Sequence, residues 1–213
     1  MALKLFIDND VVLKLAIYDL LQSLPELFAD QAEPVDLIVL DSARYKLLPR
    51  RNRHELCGTE EVAARIESFL RQATILSLDV VDLDLFDALN ASPGIDPGEA
   101  LLFSGAAKFS QARVLTGDKR ALGGLATQGC LGITEALNGK IIVMEALMQG
   151  FADLDHCRVQ KSVRANPKAD KALTNAFGVE SPASVDSVRE GLESYRKIVR
   201  KSIGGLANDG PPF

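Results

Sequence analysis

The chain has 213 residues, 47% of them hydrophobic and 25% charged, with a net charge of −5. That composition excludes a disordered chain and sets the size expectation at one domain, with or without an appendage. No apolar run approaches the ~20 residues that span a bilayer, and the three scattered cysteines, lacking any CxxC, argue against a disulfide framework or a zinc site.

In chain order, Leu3-Lys4-Leu5-Phe6-Ile7 reads as a buried strand. Asp8 and Asp10 interrupt the apolar start, so no signal peptide is expected, and reduced thiols in the cytoplasm are the expectation. A helix from about Val11 follows, with Leu13, Leu15, Ala16, Leu20 and Leu21 on its apolar face and Pro25 at its end or kink. Residues 35–40 read as a second strand, with Asp41 or Ser42 capping the next helix. Polar residues 49–58, bounded by Pro49 and Gly58, predict a loop.

Thr59-Glu60-Glu61 opens a helix to about Gln72, and 83–89 forms a short helix broken by Ser92-Pro93-Gly94. Asp96 to Phe109 is helical, with Pro97 in the first turn, and Ala112 to Thr116 is a strand. Ile133, Leu137, Ile141, Met144, Leu147 and Met148 recur at helical spacing, so 133–152 is expected to be helical, although Ile141-Ile142-Val143 alone suits a strand. Residues 183–203 form an amphipathic helix, and 204–213, rich in Gly and Pro, are expected to be loose. Alternating strands and helices predict an α/β fold: a parallel sheet flanked by helices, with a helical C-terminal extension. The expected division is a domain over 1–153 and an extension over 154–213.

Three acidic clusters fall at element ends. Asp8 and Asp10 follow the first strand, Asp96 and Glu99 open a helix, and Asp118 follows the Ala112–Thr116 strand. Strand ends are where open α/β sheets bind ligands, and carboxylates without His or Cys suit a hard divalent cation such as Mg²⁺ or Mn²⁺. The charge is uneven. Residues 1–155 carry 14 Lys+Arg against 23 Asp+Glu (−9), and 156–213 carry 10 against 6 (+4). Overall acidity argues against nonspecific duplex binding but is compatible with a polyanion held by local patches. The densest basic run is Arg44, Lys46, Arg50, Arg51, Arg53 and His54, which reads either as a phosphate-contacting loop or as a solvated one. Gly123-Gly124 and Gly129 lack the Lys and Ser/Thr of a phosphate loop.

These motifs together resemble the PIN-domain family of metal-dependent nucleases, which includes toxins of toxin–antitoxin pairs. Phe6-Ile7-Asp8-Asn9-Asp10-Val11-Val12-Leu13 is similar to the family's opening motif. Asp96-Pro97-Gly98-Glu99-Ala100 is similar to its third acidic motif, and Val114-Leu115-Thr116-Gly117-Asp118 to its last. The resemblance covers roughly residues 3–125. It implies Asp8, Glu99 and Asp118 as ligands of Mg²⁺ or Mn²⁺, Asp10 or Asp96 beside them for a second ion, and Thr116 as an orienting hydroxyl. It also implies an RNA substrate, an antitoxin-like protein partner and a homodimer. The family's helix acid has no counterpart: its position falls near Tyr45 or Lys46, with Asp41 or Glu55 as substitutes.

Other readings of the same residues stay open. Each acid also suits a helix cap or a first-turn position favoured by the helix dipole. Asp8-Asn9-Asp10 and Gly117-Asp118 also resemble haloacid-dehalogenase-like phosphatases, in which Asp8 would be a nucleophile. That family's further acid falls at Leu122, and it has no role for Glu99. A non-catalytic PIN-like module binding RNA or protein is the third reading, favoured by an exposed apolar face on 133–152 or 183–203.

Overall fold

The computed structural model describes residues 2–28, 34–127, 131–203 and 206–207. Among these, strands β1 (Leu3–Ile7), β2 (Val35–Val39), β3 (Thr74–Ile75), β4 (Ala112–Thr116) and β5 (Ile141–Val143) form one sheet in the order β3-β2-β1-β4-β5. Every pairing is parallel. The helices are α1 (Asn9–Ile17), α2 (Ala43–Leu47), α3 (Arg53–Cys57), α4 (Glu60–Gln72), α5 (Leu83–Asn90), α6 (Pro97–Ala107) and α7 (Lys119–Thr127). Beyond them come α8 (Leu131–Leu137), α9 (Met144–Ala165), α10 (Lys171–Phe177) and α11 (Val185–Ile203). The fold is therefore α/β, an all-parallel sheet flanked by helices with a helical C-terminal extension.

β1 is central and reads as a nearly continuous apolar run because helices cover both faces of a parallel sheet. Leu5, Phe6 and Ile7 are fully buried. Lys4 is the exception in this strand. Its ammonium pairs at 3.0 Å with Asp36, its register partner on β2, and lies 5.0 Å from the Phe109 ring centroid. On α11, Val188, Leu192, Val199 and Ile203 are buried, and the helix packs on α7 and α9. Among the described residues, the apolar faces of α9 and α11 are thus covered by the chain itself, apart from single exposed residues such as Leu154 and Ile198.

Several expectations need correction. α1 ends at Ile17, well before Pro25, and a 3₁₀ segment (Leu21–Phe28) carries Leu21 and Pro25. The cause is a left-handed Asp19 (φ 57°), with Arg65 and Arg158 donating to the Ala16 and Asp19 carbonyls of the terminating turn. The expected loop at 49–58 contains α3, which Gly58 ends at φ 74°. Ile141–Val143 is a strand and not part of a helix: all three residues are buried and paired with Val114–Thr116. Leu137 ends α8, Gly139 turns at φ 65°, and a new helix starts at Met144. β3 and α10 were not foreseen. Of the tail expected to be loose, only Leu206 and Ala207 lie within the described residues. Both are buried, and Ala207 bridges to Ile141. Gly129 and Cys130 lie outside the described residues.

The expected boundary at 153/154 falls inside α9, just before a non-helical residue, Asp155 (φ −150°, ψ 85°). No helix among the described residues is long and apolar enough to cross a membrane.

Candidate active site

The strand order reverses direction between β1 and β4, and ligands of open α/β sheets bind at such a point, beyond the carboxyl ends of the strands. Asp8 leaves β1 there and Asp118 leaves β4. The Asp8 N–H donates to the Leu115 carbonyl at 3.0 Å, which ties the two strand ends together. Asp8 is the extended N-cap of α1, yet its side chain makes no cap hydrogen bond, so its carboxylate is not consumed by the helix. Burial pushes that carboxyl up to about 6, with further contributions from Asp10, Asp96 and Asp118 against a lowering by the Asn9 N–H. The neighbouring Asn9 Oδ1 is buried with no hydrogen-bond partner among the described residues.

The second acidic pair sits on α6. Asp96 caps the helix and Glu99 reaches back to it, a reciprocal arrangement that satisfies two N–H groups otherwise orphaned at a helix start. Glu99 is buried, and its carboxyl is pushed up to about 7 by burial and by Asp96, Asp118 and Asp8, against the Asp96 N–H that it accepts. Asp96 itself is exposed. Leu40 and the Lys46 ammonium close over the same turn. A Cβ built on Gly98 would lie 2.9 Å from Leu40 Cδ1, 3.1 Å from Asp96 Oδ1 and 3.9 Å from Lys46 Nζ.

At the end of β4, the buried Thr116 hydroxyl accepts the Asp118 N–H at 3.2 Å. Asp118 accepts the Arg120 and Ala121 N–H groups at 2.7 and 3.3 Å and pairs with the Arg120 guanidinium at 2.9 Å. Burial alone would raise the Asp118 carboxyl, but the Arg120 guanidinium and the two N–H donors hold it below the usual range. A Cβ on Gly117 would stand 2.8 Å from Asp10 Oδ2, so the bare glycine lets Asp10 approach this turn. Asp10 in turn pairs with Lys14 Nζ at 2.8 Å.

The fold thus brings Asp8, Asp96, Glu99 and Asp118 within electrostatic reach of one another, with Asp10 beside them. The donor set fits a hard cation by its chemistry, being carboxylate oxygens only, two of them holding protons more tightly than usual. The rotamers do not present that set ready-made. Among the described residues no group of three or more His, Cys, Asp or Glu side chains is arranged to hold a metal ion. The physical reason is that Asp10, Asp118 and Glu99 are each engaged elsewhere, on Lys14, Arg120 and the Asp96 N–H.

Of the basic run, Arg44, Lys46, Arg50 and Arg51 are exposed, while half-buried Arg53 pairs with Glu60 at 3.5 Å. Lys46 reaches the start of α6, whereas Arg44 lines a small pocket with Asp41, Glu67 and Arg71. Glu55 lines a separate groove with Pro167 and Lys168. The sequence reading missed Lys14, Arg120 and Glu145. Glu145 follows β5 at the same sheet edge, is buried, and pairs with Lys119 at 3.1 Å. An acid at a strand end was the signal that would have found it, had Ile141–Val143 been read as a strand. Comparison with family models, curated proteins and solved structures returned no match.

Proposed function

We propose that the chain is a PIN-like, Mg²⁺- or Mn²⁺-dependent nuclease that hydrolyses phosphodiester bonds, RNA in preference to DNA. The observation that carries this reading is that Asp8 and Asp118, at the carboxyl ends of β1 and β4, and Glu99, at the start of α6, lie within electrostatic reach of one another. Asp8, Glu99 and Asp118 would hold the ion, with Asp10 and Asp96 beside them. Bound there, such an ion would contribute Lewis acidity toward the phosphate and toward water.

The chain's own groups do the rest. The Thr116 hydroxyl orients the Asp118 turn through its N–H. Lys46, with Arg44, Arg50, Arg51 and Arg53 on the same stretch, offers cations to the phosphate backbone. An antitoxin-like partner and a homodimer belong to this proposal as well. One observation favours a second reading, a non-catalytic PIN-like module: the acids are held by Lys14, Arg120 and the helix start, and not by one another.

Calorimetric titration of Mn²⁺ into the wild type and Asp8→Asn, with cleavage of single-stranded RNA and DNA followed in the same preparations, separates these readings. Binding and RNA cleavage that both collapse in Asp8→Asn support the nuclease. Binding without cleavage of either polymer moves the assignment to the phosphatase or the module. Equal Mn²⁺ affinity in both proteins removes Asp8 from the site.

A further inference from the structure

Lys14 lies between two carboxylates, its ammonium 2.8 Å from Asp10 Oδ2 and 2.8 Å from Asp170 Oδ2. Asp10 belongs to the acidic crevice. Asp170 lies 156 residues beyond Lys14, in the C-terminal extension. Asp170 is itself fixed, because as N-cap of α10 it accepts the Ala172 and Leu173 N–H groups at 2.9 and 3.1 Å. α10 in turn packs on α9 and α11. The two partners of Lys14 differ in wetness. The Lys14 and Asp170 side chains are each 17% exposed, whereas Asp10 is 43% exposed. The fully buried Tyr18 hydroxyl, which feels the charges of both Asp170 and Asp10, marks how dry the inner side of this triad is.

A single ammonium thus serves two carboxylates at the same distance, one in drier surroundings than the other, and a lower effective dielectric strengthens the attraction on the drier side. The wetter carboxylate, Asp10, is the one that another cation can take. We infer that Asp170, by sharing the Lys14 ammonium with Asp10, lowers the lysine charge that falls on Asp10 and so sets how tightly the acidic cluster takes a divalent cation. This rests on the metal-dependent reading above. Lys14 then acts as a competitor of the metal ion, and Asp170 as a positioning residue that restrains the competitor. Without Asp170, the whole lysine charge falls on Asp10.

The test is calorimetric Mn²⁺ affinity, measured without RNA, for the wild type, Asp170→Asn, Lys14→Met and the double variant. Asn still caps α10, so Asp170→Asn retains the fold. The double variant removes one charge of each sign and avoids burying an unpaired pair of acids, which keeps the test usable if Lys14→Met fails to fold. Asp153→Asn, an acid paired with Arg189 instead, controls for a general loss of negative charge.

Asp170→Asn is expected to weaken Mn²⁺ by about three- to tenfold, while Asp153→Asn leaves the affinity unchanged and the double variant binds at least as tightly as the wild type. A wild type that binds no Mn²⁺ beside a double variant that does also supports the inference, with Lys14 winning the competition outright. Equal affinity in the wild type, Asp170→Asn and the double variant overturns the inference and leaves the metal site standing. No binding by any of the proteins overturns both.

Discussion

Asp96 and Glu99 hold each other across the first turn of α6, Asp96 Oδ1 accepting the Glu99 N–H at 2.8 Å and Glu99 Oε2 accepting the Asp96 N–H at 2.7 Å. One hydrogen-bonded pair therefore starts a helix and also places a buried carboxyl at the sheet's carboxyl edge. Glutamine at the third helical position completes the same arrangement without the charge. At pH 5, where the Glu99 carboxyl of the folded chain keeps its proton, Glu99→Gln should match the stability of the wild type to within about 1 kcal/mol, while abolishing RNA cleavage. Asp96→Ala should cost about 1 kcal/mol in urea denaturation through the lost cap. A Glu99→Gln protein that cleaves like the wild type would reduce Glu99 to a cap.

The raised carboxyls of Asp8 and Glu99, at about 6 and about 7, make stability depend on pH. In the folded chain each binds its proton more tightly than in the unfolded chain. Their contribution is therefore most favourable below the ordinary carboxylate range, and it is lost as pH rises through about 6 and about 7. Without divalent cations, Asp8→Asn should become more stable than the wild type between pH 5 and 8. The gap should reach roughly 1–3 kcal/mol, discounted for the partial exposure of Asp8. Mn²⁺ affinity of the wild type should rise over the same interval, because binding must displace those protons. Urea titrations at several pH values check the first statement and calorimetry the second. A pH-independent gap would show that burial and the neighbouring acids do not raise the Asp8 carboxyl.

Gly117 lets Asp10 approach the β4 turn, since a Cβ there would sit 2.8 Å from Asp10 Oδ2. The obstructed atom is the end of a side chain, so Gly117→Ala should cost under about 1 kcal/mol of stability. It should nonetheless displace Asp10 and lower Mn²⁺ affinity several-fold. Unchanged affinity would place Asp10 outside the binding set.

Leu192 on α11 is fully buried where the extension packs on the core. Leu192→Ala should cost about 2–5 kcal/mol, read as a shift of the urea midpoint. A loss below about 1 kcal/mol would mean that the extension contributes little to folding.

Arg50 and Arg51 are exposed and lie on the stretch between α2 and α3. If they contact backbone phosphates, each change to Ala should weaken RNA binding independently of sequence and reduce the slope of log affinity against log salt by roughly 1. An unchanged slope would make this a solvated loop.

What the sequence determined by itself is local chemistry. The caps at Thr59, Asp82 and Asp96 each satisfy an N–H within three residues, so their signature is contained in a few adjacent letters. The apolar strands β1, β2 and β4, and the acids that follow β1 and β4, were legible for the same reason. The helical extension was legible because α11 keeps its apolar period over many turns. The tertiary structure decided the rest. A three-residue apolar run fits either a helix face or a strand, and only the open edge of β4 made Ile141–Val143 a strand, which in turn put Glu145 at the sheet edge. The two-residue β3 has no period of its own and exists through its pairing with β2. Lys14 four residues after Asp10 was readable as a helical pair. Its second partner, Asp170, was not, because an ion pair across 156 residues leaves no trace in the local sequence and is fixed only when α10 docks on the core.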